Sequence, residues 1–203
     1  MSARGHLLLF LALVPVFNTL AVLALPGLIN QLVMHRMTTQ ALQGAQLPSD
    51  DATVRARQAQ ILDRRGVNVA LPSPRPDASA RTVVRLSPDL LYSACVFDLR
   101  SGPLRVTAPV PDSYFSISGF AADTSNFFAF NDRTAALDAE GRRHIDLVLT
   151  HGDARPAALP AGAQRVTAPS ARGVILFRIL ITDDAALPQL RTNIQAEQRC
   201  EPL

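Results

Sequence analysis

Residues Leu7–Ile29 read LLLFLALVPVFNTLAVLALPGLI, without one charged side chain. At about 1.5 Å per helical residue this run reaches roughly 34 Å, enough for a hydrocarbon core of about 30 Å. No other stretch comes close, so the run decides where the rest of the chain folds. Arg4 precedes it and His35-Arg36 ends it. Two readings fit: a cleaved signal, cut after Ala21 or Ala24, or a retained anchor. The run exceeds the roughly 7–15 apolar residues of a signal peptide, and Leu32, Val33 and Met34 extend it. Pro15 and Pro26 are tolerable in a membrane helix, and Asn18 and Thr19 can bond to the backbone or to a neighbouring helix. A retained transmembrane signal anchor over residues 1–35 is therefore expected. Arg4 and the terminal amine slightly outweigh Arg36, which places the N-terminus inside. The globular part then lies outside the cytoplasm.

What remains of the 203 residues has the length of one domain and needs no metal to fold. The net charge of +3 comes entirely from arginine, since the chain has no lysine. With alanine and proline also abundant, a GC-biased genome accounts for this composition. The arginines are scattered and aromatics make up only 5% of the chain, so no clustered, ring-interleaved face for nucleic acid is expected. Cys95 and Cys200 are the two cysteines. They form one disulfide in an oxidising compartment, or stand as two buried thiols in a reducing one.

Residues 36–80 read as a stalk, a short amphipathic helix and a Pro-rich linker, with Met37–Leu47 either stalk or a fraying helix end. Ser49 precedes Asp50 and Asp51 as a helix cap, Val54, Ile61 and Leu62 follow at helical spacing, and Gly66 suits the residue past the end. Pro72, Pro74 and Pro76 then favour extended chain. From residue 81 to 203 the pattern is β-rich. Strands are expected over Arg81–Leu86, Leu91–Asp98, Leu104–Ala108, Tyr114–Phe120, Asn126–Asn131, His144–Thr150 and Gly173–Ile181. Turns rich in Pro, Gly, Asp and Ser separate them, which argues for an antiparallel β-sandwich of jelly-roll type. Leu187, Leu190 and Ile194 predict a short closing helix within Asp183–Gln198. No internal repeat is present.

The chain lacks a phosphate loop, a dinucleotide fingerprint, a nucleophile elbow, a zincin motif and a CxxC pair. No catalytic set and no cofactor is expected. His144 with Asp146, and His151 with Asp153, are better read as strand ends than as metal ligands. Arg178 is the sharper anomaly. It sits in the most apolar strand and shares a face with Val174, Leu176 and Leu180. Either it pairs with Asp98, Asp132 or Asp89, or it lies on a solvated sheet face, or it clamps an anion in a sandwich pocket. Asn131 and Asp132 form a polar end to an aromatic strand, or simply a turn.

The stretch VVRLSPDLLYSACVFDLRSGPLRVTAPVPDSYFSISGF, Val83 to Phe120, resembles the domain-of-unknown-function family 1254. The matching positions are Pro88-Asp89, Leu91-Tyr92-Ser93, Asp98-Leu99, Gly102-Pro103 and Tyr114, with Ala168–Ser170 and the Arg178 strand later. Asn131–Arg133 resembles an Asn-Asp-Arg of the short, membrane-anchored proteobacterial members. Ser87 and Leu90 depart from the family, which often has Asn and Thr there. The resemblance covers about Val67 to Leu203. It implies a β-rich, sandwich-like fold, a companion protein carrying domain of unknown function 1214, and Arg178, Asp98 and Tyr92 as a cluster. It brings no biochemical activity.

The resulting expectation is a membrane-anchored envelope protein whose β-domain binds or assembles with a companion. The alternative is an extracytoplasmic small-ligand binder or enzyme using Arg178, with Tyr92, Asp98, Asn131 and Asp132 around it.

Overall fold

The computed structural model describes residues 3–77, 86–138, 140–153 and 158–203. Helix α1 spans Ala3–Ala45, 43 residues without a break at Pro15 or Pro26. By length and composition it can cross a membrane. It runs ten residues past the expected end of the anchor, so of the two readings of this stretch residues 36–45 take the helical one and not the stalk. The reason is packing. Met34 joins Ala94, Val96 and Val174 in one buried cluster, while Ala41, Leu42 and Ala45 pack with Ile61, Val69 and Leu71.

Helix α2, Ala52–Asp63, is capped by Asp51, whose Oδ1 accepts from Thr53 N at 2.7 Å and Val54 N at 3.1 Å. Such a cap is worth about 1 kcal/mol. The expected cap, Ser49, lies outside and accepts from Asp51 N. At the other end Gly66 N donates to Ile61 O and Arg65 N to Leu62 O. This is the two-bond helix stop in which the left-handed residue is usually glycine, but here it is Arg65, at φ 51°. Gly66 comes one position later. A Cβ on it would stand 3.2 Å from the Thr38 backbone, so glycine there lets the two helices touch.

Ten strands follow among the described residues: β1 Leu71–Pro72, β2 Leu90–Asp98, β3 Leu104–Pro109, β4 Phe115–Ala121, β5 Asn126–Asn131, β6 Ala136–Leu137, β7 Arg143–His151, β8 Gln164–Ala168, β9 Arg172–Leu180 and β10 Arg199–Pro202. They form two sheets. Sheet A runs β1-β2-β9-β4-β5, antiparallel throughout, and sheet B runs β10-β3-β7-β6, with β8 parallel to β7. The fold is thus mainly antiparallel β, as expected, with a long apolar N-terminal helix and short helices beside it. The strand expected at Arg81–Leu86 falls, except for Leu86, outside the described residues. The domain also begins earlier than residue 81. Asn68 already bonds both ways with Asp98, Val67 bridges to Val96, and β1 pairs with β2. The closing helix is shorter than Asp183–Gln198: one turn, α3, at Leu187–Gln189 runs into a π-helical stretch over Leu190–Gln195.

Alternation places Leu91, Cys95, Ile117, Phe115, Ile175, Phe177 and Ile179 of sheet A against Leu104, Val106, Ile145, Leu147 and Leu149 of sheet B. This is the main core. Cys95 and Cys200 bond across it, from β2 to β10, with Cα atoms 6.5 Å apart.

The outer face of sheet A is not bare. The α1 residues from Asn30 onward cover one end of it, and Asn30 itself is only 7% exposed. Its Nδ2 donates to Ala121 O at 2.7 Å and Ala122 O at 3.2 Å. Replacing Asn30 by leucine leaves those carbonyls without that donor, a loss of about 1–2 kcal/mol. Amide hydrogen exchange over residues 30–45 is expected to accelerate in Asn30→Leu; unchanged exchange would mean that the carboxamide does not hold α1 down.

Candidate functional site

Arg178 lies on the outer face of sheet A, not in the sandwich interior. β9 turns Ile175, Phe177 and Ile179 inward and Val174, Leu176 and Arg178 outward. Strand register then builds a row across the sheet. Tyr92 of β2 and Ser116 of β4 flank Arg178, and Asn131 of β5 stands beyond Ser116. Tyr92, Ser116 and Ser118 are buried, whereas Arg178 is half-buried. The Arg178 Nη1 donates to Ser118 Oγ at 3.4 Å. Tyr114 donates its hydroxyl to Ser116 Oγ at 2.9 Å, and the Tyr92 hydroxyl accepts from Ser87 N at 3.0 Å.

Among the described residues no carboxylate pairs with Arg178, so the reading of an ion pair with Asp98, Asp132 or Asp89 falls and the sheet-face and anion readings remain. Asp98 lies at the far end of β2, six positions from Tyr92 and roughly 20 Å along the strand. It pairs with Arg100 at 2.5 Å and meets Arg172 of the neighbouring strand at 3.6 Å. Arg178, Tyr92 and Asp98 are therefore not one cluster; the first two meet and the third does not. Asp132 Oδ1 accepts from Phe115 N, and Asn131 Oδ1 accepts from Arg133 N and Thr134 N. Both carboxamide and carboxylate work in a turn that leaves β5, although the Asn131 backbone also sits at the end of the Arg178 row.

The hydrogen bond from Arg100, more than the charge of Arg172, holds the Asp98 carboxyl below the usual carboxylate range, against the opposing effect of its burial. An unfolded aspartate titrates near 3.9. A lowered folded value means stabilisation that is present above that pH and fades as pH falls through the folded value. Asp98→Asn is expected to be less stable than the parent at neutral pH and equal to it at the acid end. Urea titrations across pH test this, and a gap independent of pH would remove the assignment.

The histidines do not converge on a metal. Among the described residues no group of three or more His, Cys, Asp or Glu side chains is placed to hold one. Asp146 is taken by Arg105 through two bonds, at 3.1 and 2.7 Å, and His151 Nδ1 meets Ala168 O. His144 Nδ1 is buried without a partner.

A second polar place was not visible in the sequence. Where α2 closes the edge of the sandwich beside the disulfide, Arg57, Arg64, Ala70, Gln198 and Arg199 line a cavity of about 10 Å³, room for one water. Arg57 donates to Ala70 O and Ala196 O. Burial and then the charge of Arg199 lower its pKa, with Glu197 opposing. Gln198 is fully buried, and neither of its amide atoms has a partner. These residues come from two distant segments, around 57–70 and 198–199, so no local spacing announces them.

Chemically, the Arg178 row sets a half-buried guanidinium beside hydroxyls that are themselves buried, a donor set that suits an anion. Its hydroxyls have no imidazole or carboxylate partner among the described residues, so no activated nucleophile is assembled there.

The crystal structure of the VPA0106 protein from Vibrio parahaemolyticus is similar at TM-score 0.51 and 14% identity, over 84% of this chain and 37% of that one. A crystal structure of an uncharacterised protein from Burkholderia cenocepacia aligns at TM-score 0.43 and 17% identity, over 67% of this chain and 42% of that one. This chain spans about two fifths of the length of these solved proteins. The likeness to the Vibrio protein is one of fold. No curated protein matches. The family described as "Protein of unknown function (DUF1254)" matches residues 67–202, which begin where Val67 first bridges to β2 and run through β10. The chain belongs to the DUF1254 family.

Proposed function

We propose that this is a single-pass protein of the bacterial inner membrane whose β-sandwich lies in the periplasm. There it acts as a binding or assembly module with a companion protein, one carrying domain of unknown function 1214. The observation that carries this reading is the continuity of α1. One helix holds both the apolar run and the residues that pack on sheet A, so no flexible tether separates anchor from domain. The Cys95–Cys200 bond supports an oxidising compartment. Cross-linking in native membranes, followed by purification, is expected to recover the companion. Recovery of this chain alone, at full yield, overturns the reading. A reporter active only in the periplasm, fused after Leu203, is expected to be active.

One observation favours a second reading. Arg178 has no carboxylate among the described residues and stands among Tyr92, Ser116, Ser118 and Asn131, which suits a small anionic ligand. Inorganic phosphate and short carboxylates are expected to raise the thermal midpoint of the parent but not of Arg178→Gln. No shift in the parent at millimolar ligand ends this reading and leaves the first untouched.

A further inference from the structure

α1 meets the strands of sheet A in their spatial order. Asn30 touches the end of β4, Met34 lies between β9 and β2, and Ala41, Leu42 and Ala45 reach Leu71 of β1. The helix therefore crosses the strands. The distances agree with this. From β4 to midway between β9 and β2 is about 7 Å at a spacing of about 4.8 Å, and the four residues from Asn30 to Met34 rise about 6 Å. Toward the N-terminus the next strand is β5, about three helical residues further on, at the level of Gly27. Pro26 and Gly27 are half-buried, and a Cβ on Gly27 would stand 3.9 Å from Ala122 O, in the turn that leads from β4 to β5. Beyond them the domain stops covering the helix. From Phe10 to Leu25 every residue except Ala21 is exposed. The roughly 20 residues that a hydrocarbon core requires fit in the run beyond β5.

We infer that the β5–β6 edge of the sandwich rests on the surface of the bilayer that α1 enters, and contacts its lipids. The inference rests on the reading of α1 as a membrane span. Both sheets present an edge on this side, because the chain passes from β5 at the edge of sheet A to β6 at the edge of sheet B within four residues. β8 lies on the same flank of β7 as β6, opposite β3. Apolar surface is open here. Leu137 is 67% exposed, and Phe127 and Phe130 pack on the core with part of each left uncovered.

Two guanidiniums here are free to meet phosphate headgroups: Arg133 and Arg165 are exposed and in no ion pair among the described residues. The turn acids beside them keep their charge, Asp123 bonded to Ser125 and Asp132 to Phe115 N, while Arg142 pairs with Asp138 and Glu140. A guanidinium reads a phosphate through paired bonds. The depth follows from the backbone. Among the described residues β5 has a sheet neighbour on one side only, so its outward N–H and C=O groups need water, and the edge stays in the headgroup layer while Leu137 reaches the acyl boundary.

The chain contains no tryptophan, so one introduced indole is a background-free emitter. The full chain is reconstituted in phosphatidylcholine–phosphatidylglycerol vesicles containing lipids brominated either near the headgroup or near the chain terminus. Leu137→Trp is expected to emit to the blue of Leu62→Trp, and to be quenched several-fold more by the shallow bromines. Leu62 is exposed on α2, at the β1 side, away from the proposed contact. Leu20→Trp, in mid-run, reports the span itself through the deep bromines. Quenching at 20 without quenching at 137 overturns the inference and leaves the anchor standing. No quenching at 20 overturns both. Leu137 and Leu62 are surface positions, so neither variant disturbs the core.

Discussion

Replacing Cys95 and Cys200 together by alanine is expected to be the most destabilising change available in this domain that removes no large side chain. The bond closes a loop with a sequence separation of 105. In the chain-entropy account a loop of that length is worth about 4–5 kcal/mol, and loss of a native bridge commonly costs about 2–5 kcal/mol. Position adds to this. Cys95 and Cys200 are 0% and 3% exposed, and they join sheet A to the four-residue edge strand β10, which among the described residues otherwise pairs only with β3. Urea titration of the double variant should show the lower midpoint. Mass analysis of protein taken from membranes under non-reducing conditions should show the parent two hydrogens lighter than its reduced form. Free thiols in that sample would remove both expectations.

A methyl group on Gly173 is expected to do comparable damage by crowding. A Cβ there would lie 2.2 Å from Phe120 O and 2.6 Å from Phe97 Cζ. The first is backbone of a paired strand and has nowhere to go, because β4 and β9 are hydrogen-bonded through this position. Overpacking of this kind costs about 1–3 kcal/mol, and a backbone clash belongs at the upper end. Gly119→Ala meets the Phe128 ring at 2.1 Å, but a side chain can turn, so its cost should be the smaller of the two. The order of the two unfolding midpoints is the test. If Gly119→Ala proves the worse, the aromatic cluster of Phe97, Phe127 and Phe128 is stiffer than the sheet beneath it.

The long strands were legible because their hydrophobic runs and turn residues are local signals. β2, β4, β5, β7 and β9 start within a residue or two of where alternation places them. β1, β6 and β10 are two to four residues long and exist by pairing with a longer strand, so nothing within them announces a strand. The ten extra residues of α1 are held by Ala94, Val96, Val174 and Leu71, all distant in sequence. At the candidate site, period two correctly grouped Arg178 with Val174 and Leu176. Which face that group occupies depends on the partner sheet, which a single strand does not reveal. Tyr92 and Asp98 share a face of β2 by the same parity, yet parity carries no distance. Gln195, whose amide ties Tyr92 O to Ser73 O, and the buried Gln198 left no signal, since glutamine in a closing helix looks like surface.

The crossing of α1 over sheet A also sets the timing of folding. The helix is synthesised first, but Asn30 finds its carbonyl partner 91 residues later, and Met34 needs Val174. β10, the last strand, supplies the second sulfur. Contacts of such sequence separation form slowly. The nascent chain must therefore wait with the docking face of its own helix uncovered, until β9 arrives to take it. During that interval Met34, Met37 and Leu42 are open to any protein that holds unfolded chains.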